Sequence, residues 1–96
     1  MAKGDWVSFY EKIIDENKLG AYAKLAGPAV QKAGGTFIVR GGETVAKEGM
    51  DANRTVIVEY PSLDAAKAAY ESADYQTALK ELDGGVLRHF RIIEGA

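Results

Sequence analysis

The sequence has no cysteine, a single histidine, two prolines and no apolar run that approaches the ~20 residues of a membrane span. Without cysteine, disulfides, thiolate zinc sites and cysteine nucleophiles are excluded. One histidine cannot build a His-rich site, and carboxylates without histidine or cysteine partners give no transition-metal spacing, so we predict no metal. The opening MAKGDW leads into no apolar signal segment, and we therefore expect a cytoplasmic protein without a membrane partner.

Charge and motifs argue against further classes. Twelve Lys and Arg residues against fourteen Asp and Glu residues give a net charge of −2. Affinity for a polyanion comes from neutralised phosphates, so we expect no nucleic-acid partner. The sequence contains no nucleotide-binding glycine loop, dinucleotide fingerprint or nucleophile elbow, and we predict no cofactor.

The hydrophobic patterns predict one domain, residues 1–96, of the α+β class. The predicted strands are 6–13, 36–40, 54–60 and 87–94, and the predicted helices are 16–33, with a kink or restart at Pro28, and 62–82, with a second start at Ser72. Residues 43–48 are expected to extend the second strand beyond a bulge at Gly41 and Gly42. The order β-α-β-β-α-β predicts a ferredoxin-like sandwich, in which two helices cover one face of a four-stranded antiparallel sheet.

Both faces of the predicted sheet carry large apolar side chains. In the first strand Trp6 and Tyr10 oppose Val7, Phe9 and Ile13. In the third strand Val56, Val58 and Tyr60 oppose Ile57, and in the last strand Phe90 and Ile92 oppose Leu87 and Ile93. A two-layer sandwich covers only one face, and monomers rarely expose large apolar patches. The pattern therefore predicts a homodimer that packs sheet on sheet about a two-fold axis.

Residues 34–43, GGTFIVRGGE, place one cation at the end of an apolar strand between two glycine pairs. Arg40 shares its parity with Thr36 and Ile38, and strand pairing could bring it onto the same face as Glu59. One interpretation is an exposed ion pair between Arg40 and Glu59, worth about 0–1 kcal/mol. The other is a functional cation, since a planar guanidinium orients a carboxylate or enolate oxygen.

The remaining candidates are His89 and the aromatic residues. His89, on the parity of Leu87 and Ile93, is either a half-buried interfacial histidine or a general base. The candidate ligand contacts, which are alternatively core residues, are Trp6, Tyr10, Tyr22, Tyr70 and Tyr75.

Three segments carry a resemblance to a known family: KAGGTFIVRGGE, RTVIVEYPSLDAAKAAYESADYQTAL and a closing strand that ends in IIEG. Over nearly the whole chain they resemble the small proteins of domain-of-unknown-function family 1330. The sequence departs from that family at Ala73, where the family often has proline in an S-P-x-Y motif, and in the early strand WVSFYEKI. The resemblance implies a dimeric α/β-barrel protein. Related dimeric barrels include cofactor-free monooxygenases, isomerases and dehydratases, which favours small-molecule chemistry by analogy of fold.

Two functional hypotheses follow from these observations. In the first, a homodimer binds a small anionic or aromatic organic ligand between sheet and helices, with or without a cofactor-independent reaction. Arg40 would then orient the anion, and Glu59 or His89 would be the proton acceptor of a reaction. The alternative is a non-catalytic assembly or regulatory module whose cleft is filled by its own tyrosines and whose Arg40–Glu59 pair has no cavity above it. Whether the protein is an enzyme stays open.

Overall fold

Four strands and three helices make up the computed structural model, which describes residues 2–49 and 54–96. In chain order they are β1 (Gly4–Ile13), α1 (Glu16–Lys32), β2 (Thr36–Arg40), β3 (Arg54–Tyr60), α2 (Leu63–Glu71), α3 (Ala73–Leu82) and β4 (Val86–Glu94). The strands form one antiparallel sheet in the order β2-β3-β1-β4. The predicted ferredoxin-like α+β sandwich is confirmed. The sheet of the single chain is open and does not close into a barrel by itself.

Helix α1 begins and ends at the residues that its capping chemistry dictates. The Asp15 carboxylate accepts hydrogen bonds from the backbone N–H groups of Asn17 and Lys18, at 2.9 and 3.2 Å. The helix runs unbroken through Pro28, so the predicted restart there is wrong. It ends before Gly34, whose φ of +91° is a left-handed conformation that glycine adopts without a Cβ clash.

The predicted second helix is two helices that share one capping residue. The Ser72 hydroxyl donates to the carbonyl of Ala69 at 2.8 Å and accepts from the N–H of Tyr75 at 3.3 Å. Ser72 thus ends α2 and caps α3, which agrees with its predicted role at the start of a second helical segment. The sheet is consequently covered by three helices instead of two.

The core lies between these helices and one face of the sheet, which we call the inner face. Alanines of the three helices pack against inner-face aromatic residues, and their small side chains let the helices approach the sheet closely. Trp6 lies at the centre, 3% exposed, with its ring centroid 4.7–6.1 Å from the rings of Tyr60, Tyr70, Tyr75 and Phe90. Its indole N–H donates to the carbonyl of Ala66 at 2.8 Å, so the buried polar atom has a partner.

A β-bulge at Ile38 corrects two predictions about β2. Phe37 pairs with Val58 and Val39 pairs with Ile57, so Ile38 is an extra residue on β2. The bulge therefore lies within the strand and not at Gly41 and Gly42. Residues 43–48 form no strand.

The opposite, outer face of the sheet carries apolar side chains with no helix over them in the described part of the chain. Val7, Phe9 and Ile57 lie on this face, and Leu87 and Ile93 are 53% and 54% exposed. The predicted opposition of apolar residues within each strand holds except at Ile13. A register shift after Tyr10 pairs Ile13 with Val86, so Ile13 lies on the inner face and not with Val7 and Phe9.

Candidate functional site

A cleft of about 260 Å³ opens between helix α1 and the inner face of the sheet. Helix α1 contributes small or apolar residues to it, among them Leu19, Gly20, Ala23 and Gly27. The sheet contributes aromatic, aliphatic and cationic side chains. The combination of an apolar wall with a few polar groups is typical of a small-molecule site.

Strand register arranges the floor of this cleft in rows across the sheet. One row runs over β3, β1 and β4 and consists of Arg54, Tyr10 and Arg88. The next row runs over β2, β3, β1 and β4 and consists of Arg40, Val56, Ser8 and Phe90. All seven residues line the cleft, so three arginines from three strands share one cavity.

Arg88 is held by three tyrosines at the β4 side of the cleft. Its guanidinium donates to the hydroxyl oxygens of Tyr10, Tyr22 and Tyr75 at 3.1, 3.4 and 3.3 Å. The hydroxyls of Tyr22 and Tyr75 lie 2.6 Å apart and are themselves hydrogen-bonded. These contacts fix the cation, because movement would leave buried polar groups without partners.

The ionisation states of this cluster follow from its burial. Burial raises the pKa of Tyr10 and, more strongly, that of Tyr75, although the nearby Arg88 charge opposes both shifts. Burial alone would lower the pKa of Arg88, but the adjacent phenolic groups outweigh it and raise that pKa. At neutral pH Tyr10 and Tyr75 therefore keep their protons beside the Arg88 cation.

Arg40 lies at the mouth of the cleft and not beside Glu59. The bulge at Ile38 reverses its parity, so Arg40 pairs with Val56 on the inner face and its guanidinium lies 4.1 Å from the ring centroid of Phe37. Glu59, on the outer face, pairs instead with Lys3 at 3.0 Å. The predicted Arg40–Glu59 ion pair is wrong, since the two side chains lie on opposite faces of the sheet.

Ser8 places a hydroxyl on the floor of the cleft. The residue is 3% exposed, and its hydroxyl makes no hydrogen bond to any residue of 2–49 or 54–96. Buried polar groups usually have partners, so this oxygen is available to a molecule inside the cleft.

The predicted aromatic contacts divide into two groups. Trp6, Tyr10 and Tyr22 line the cleft. Tyr70 and Tyr75 lie behind this lining and pack against Trp6 and Phe90, where Tyr75 supports Arg88.

His89 and Glu59 are not brought to the cleft. His89 lies on the outer face, stacked on Phe9 with ring centroids 4.9 Å apart, and its Nε2 is 3.3 Å from a carboxylate oxygen of Glu11. Both predicted proton acceptors are thus separated from Arg40 by the sheet. The carboxylate that lines the cleft is that of Glu16, in the first turn of α1.

Sequence reasoning missed Arg54 and Arg88, although the signal was present. Arg88 is two residues before Phe90, and Arg54 is two residues before Val56, so each shares the parity of a large apolar residue in its own strand. A cation on the apolar face of a half-buried strand is the feature that identifies them. Within the described residues, no three His, Asp or Glu side chains are grouped as metal ligands would be.

The fold and the cleft define a class: a ferredoxin-like α+β protein with a cationic, aromatic-lined cavity between sheet and helix. The sequence model of the domain of unknown function DUF1330 matches residues 3–96, and the chain belongs to this family. No curated protein is significantly similar to the chain in sequence. No helix among the described residues is long and apolar enough to cross a membrane.

Solved structures share the fold at low sequence identity. A protein of unknown function from Rhodopseudomonas palustris is 16% identical with a TM-score of 0.81, over 99% of this chain and 83% of that one. A dimeric ferredoxin-like protein of unknown function from Bacteroides fragilis is 16% identical with a TM-score of 0.62, over 96% and 95% of the two chains. A proposed antibiotic biosynthesis monooxygenase from Nitrosomonas europaea is 18% identical with a TM-score of 0.56, over 98% and 89%. At these identities the likeness concerns the fold alone.

Proposed function

We propose that the protein is a homodimer that binds a small organic anion in the cleft between the sheet and α1. The observation that carries this proposal is the convergence of Arg40, Arg54 and Arg88 on one cavity with an apolar floor. Three phenolic oxygens hold Arg88 in place, and Arg40 is exposed at the mouth of the cleft, so both cations are positioned for an anion in the cavity. Arginine's planar array of donors suits carboxylates and related oxyanions.

The cavity favours this function over an assembly module. The module hypothesis requires tyrosines that fill the cleft and an Arg40–Glu59 pair with nothing above it. Instead Arg40 borders an open volume of about 260 Å³, and Tyr70 and Tyr75 lie behind its lining.

The outer face supports the homodimer. Leu87 and Ile93 leave apolar surface on the face that no described helix covers, and sheet-on-sheet packing of a second copy would bury it. Dimers are known among proteins of this fold, such as the Bacteroides fragilis protein. In such an assembly the two clefts lie on the outer layers and stay accessible to a ligand.

The proposal concerns binding and assigns no reaction. The sheet separates His89 and Glu59 from the cleft, and Tyr10 and Tyr75 stay protonated at neutral pH, since burial raises the pKa of both phenols. Neither predicted proton acceptor therefore lies beside Arg40, where the monooxygenase, isomerase or dehydratase chemistry of related folds would need one.

Native mass spectrometry of protein purified gently from cells tests the proposal. We expect a dimer that carries a small organic mass, and the mass should be lost in Arg88→Met and Arg40→Met while the dimer persists. Lys67→Met, an exposed change on α2, is the matched control and should keep the mass. If the wild type and all three variants retain the organic mass equally, the arginines do not bind it. A monomer contradicts the homodimer.

A further inference from the structure

The three arginines stand at two separate ends of the cleft. Arg88 lies on β4, whereas Arg54 and Arg40 lie on β3 and β2, beyond the central strand β1. With neighbouring strands about 4.8 Å apart, the Cα atoms of Arg88 and Arg54 are separated by about 10 Å, and β2 lies one strand farther. Its three phenolic partners prevent Arg88 from swinging towards the other two. The cleft thus has two cationic ends.

The charges that line the cleft do not balance. The described lining contains three arginines and one carboxylate, Glu16, which leaves two positive charges. A ligand with one negative charge would compensate one end and leave the other without an anion. A ligand with two charges, one at each end, compensates both.

Each end still has hydrogen-bond donors to offer. Three N–H···O contacts occupy Arg88, whose guanidinium has five N–H donors, so two donors remain. At the other end, the guanidinium of Arg40 contacts the face of the Phe37 ring, which leaves its edge available. A carboxylate can accept two such N–H bonds in parallel.

The middle of the cleft suits a short carbon chain with one polar atom. Val56 and Phe90 flank Ser8 in its row, and the Ser8 hydroxyl has no partner among the described residues. A ligand's keto or hydroxyl oxygen above Ser8 would provide that partner. The volume of about 260 Å³ equals about nine waters at liquid density, which allows a ligand of roughly ten non-hydrogen atoms.

We infer that the ligand is a small organic dianion with an acidic group at each end, one bound by Arg88 and the other by Arg40 and Arg54. The chemical class is a dicarboxylate of about five or six carbons. This inference rests on the proposed function and names the substrate class of the same cleft.

Calorimetric titration with acids of matched chain length tests the inference. Glutarate and adipate are compared with pentanoate and hexanoate, which lack the second carboxylate. We expect the diacids to bind at least about tenfold more tightly to the dimer, corresponding to about 1.4 kcal/mol. Inorganic phosphate, whose charge is concentrated at one centre, should bind less tightly than adipate.

The variants assign the two ends. Arg40→Met should weaken adipate binding to the level of hexanoate and change hexanoate binding less than about twofold. Arg88→Met should weaken both acids, and Lys67→Met should weaken neither. Arg88 is half-buried and hydrogen-bonded to three tyrosines, whereas Arg40 is exposed, so Arg40→Met keeps the test independent of core disruption.

Three results would overturn the inference. They are equal affinity for monoacids and diacids, phosphate binding as tight as adipate binding, and an Arg40→Met effect that is the same for both acid classes. If no acid binds while native mass spectrometry finds an organic mass, the dianion is wrong and the proposed function survives. The proposed function fails when that mass is absent as well.

Discussion

The two faces of the sheet differ in the kind of side chain that lacks its preferred surroundings. On β1, the inner face carries Trp6, Ser8 and Tyr10, and the outer face carries Val7 and Phe9. The inner face places cations and hydroxyls under a helix, and the outer face leaves apolar side chains without cover. Each arrangement is unfavourable in an isolated chain, since polar groups lose water on one side and apolar groups keep it on the other. In the function that we propose, a ligand compensates the inner face and a second copy of the chain compensates the outer face.

The comparison also distinguishes stability from function within the inner face. Trp6 and its ring partners stabilise the chain by packing, whereas Arg88 is tolerated there because three phenolic oxygens accept its hydrogen bonds. The same tyrosines therefore serve the core and orient the cation. Changes on the two faces should consequently produce different kinds of defect.

The largest expected effect is that of Trp6→Ala. Truncation of a fully buried tryptophan typically costs about 3–5 kcal/mol, and here it also leaves the Ala66 carbonyl without its indole donor. Urea unfolding should show this loss at every protein concentration. Phe9→Ala, on the outer face, should also lower the free energy of unfolding. This decrease should become smaller when the protein is diluted until it is monomeric. A loss from Trp6→Ala that depends on concentration in the same way would contradict the division between the faces.

Ile93→Glu should dissociate the dimer without unfolding the chain. The substitution places a charge on the face where we propose the second copy, and an unpaired buried charge costs several kcal/mol. We expect the dimer dissociation constant to rise at least about a hundredfold, or about 2.7 kcal/mol, in analytical ultracentrifugation. Leu25→Glu, on the exposed side of α1, is the control and should leave the dimer intact. Equal dissociation by both variants would place the interface elsewhere.

Alkaline pH should destabilise the inner face through its tyrosines. Burial raises the pKa of Tyr75 above the value of about 10 that a tyrosine has in the unfolded chain. The folded state therefore retains its proton longer, so this contribution to stability is complete below pH 10 and is lost as pH rises above it. The free energy of unfolding should fall more steeply in wild type than in Tyr75→Phe, by up to about 1.4 kcal/mol per pH unit. If the free energy of unfolding fell equally steeply above pH 10 in wild type and in Tyr75→Phe, Tyr75 would not be the cause.

The smallest effect should come from Lys3→Met on the outer face. Lys3 and Glu59 form an exposed pair at 3.0 Å, with side chains 60% and 34% exposed. Such pairs contribute about 0–1 kcal/mol, so the free energy of unfolding should change by less than about 1 kcal/mol. A larger loss would mean that Glu59 has a structural role beyond this pair.

The fold could be predicted from the sequence because its determinants are local. Runs of aromatic and β-branched residues identified the strands, and Ser62 and Ser72 identified the helix starts through the oxygen that each offers to a backbone N–H. The continuation of α1 through Pro28 could not be predicted in the same way, since tertiary packing decides whether a helix tolerates proline.

The candidate site was predicted only in part. Arg40 was identified as a candidate anion-binding residue, but its alternative pairing with Glu59 was wrong, because nothing in TFIVR marks Ile38 as an extra residue. Arg88 and Arg54 were visible from parity alone, yet their convergence depends on the register of three strands, which alternation within one strand does not reveal. His89 was correctly grouped with Leu87 and Ile93. The sequence did not reveal that this group lies on the face of the sheet opposite the cleft.

The bulge at Ile38 decides which face of the sheet Arg40 occupies. If all five residues of β2 paired without a bulge, Arg40 would lie opposite Thr55 on the outer face, although the sequence would be unchanged. Deletion of Ile38 would instead leave Arg40 opposite Val56 on the inner face. The face on which β2 presents its cation therefore depends on which residue is left unpaired in the ladder as well as on the amino acid at position 40.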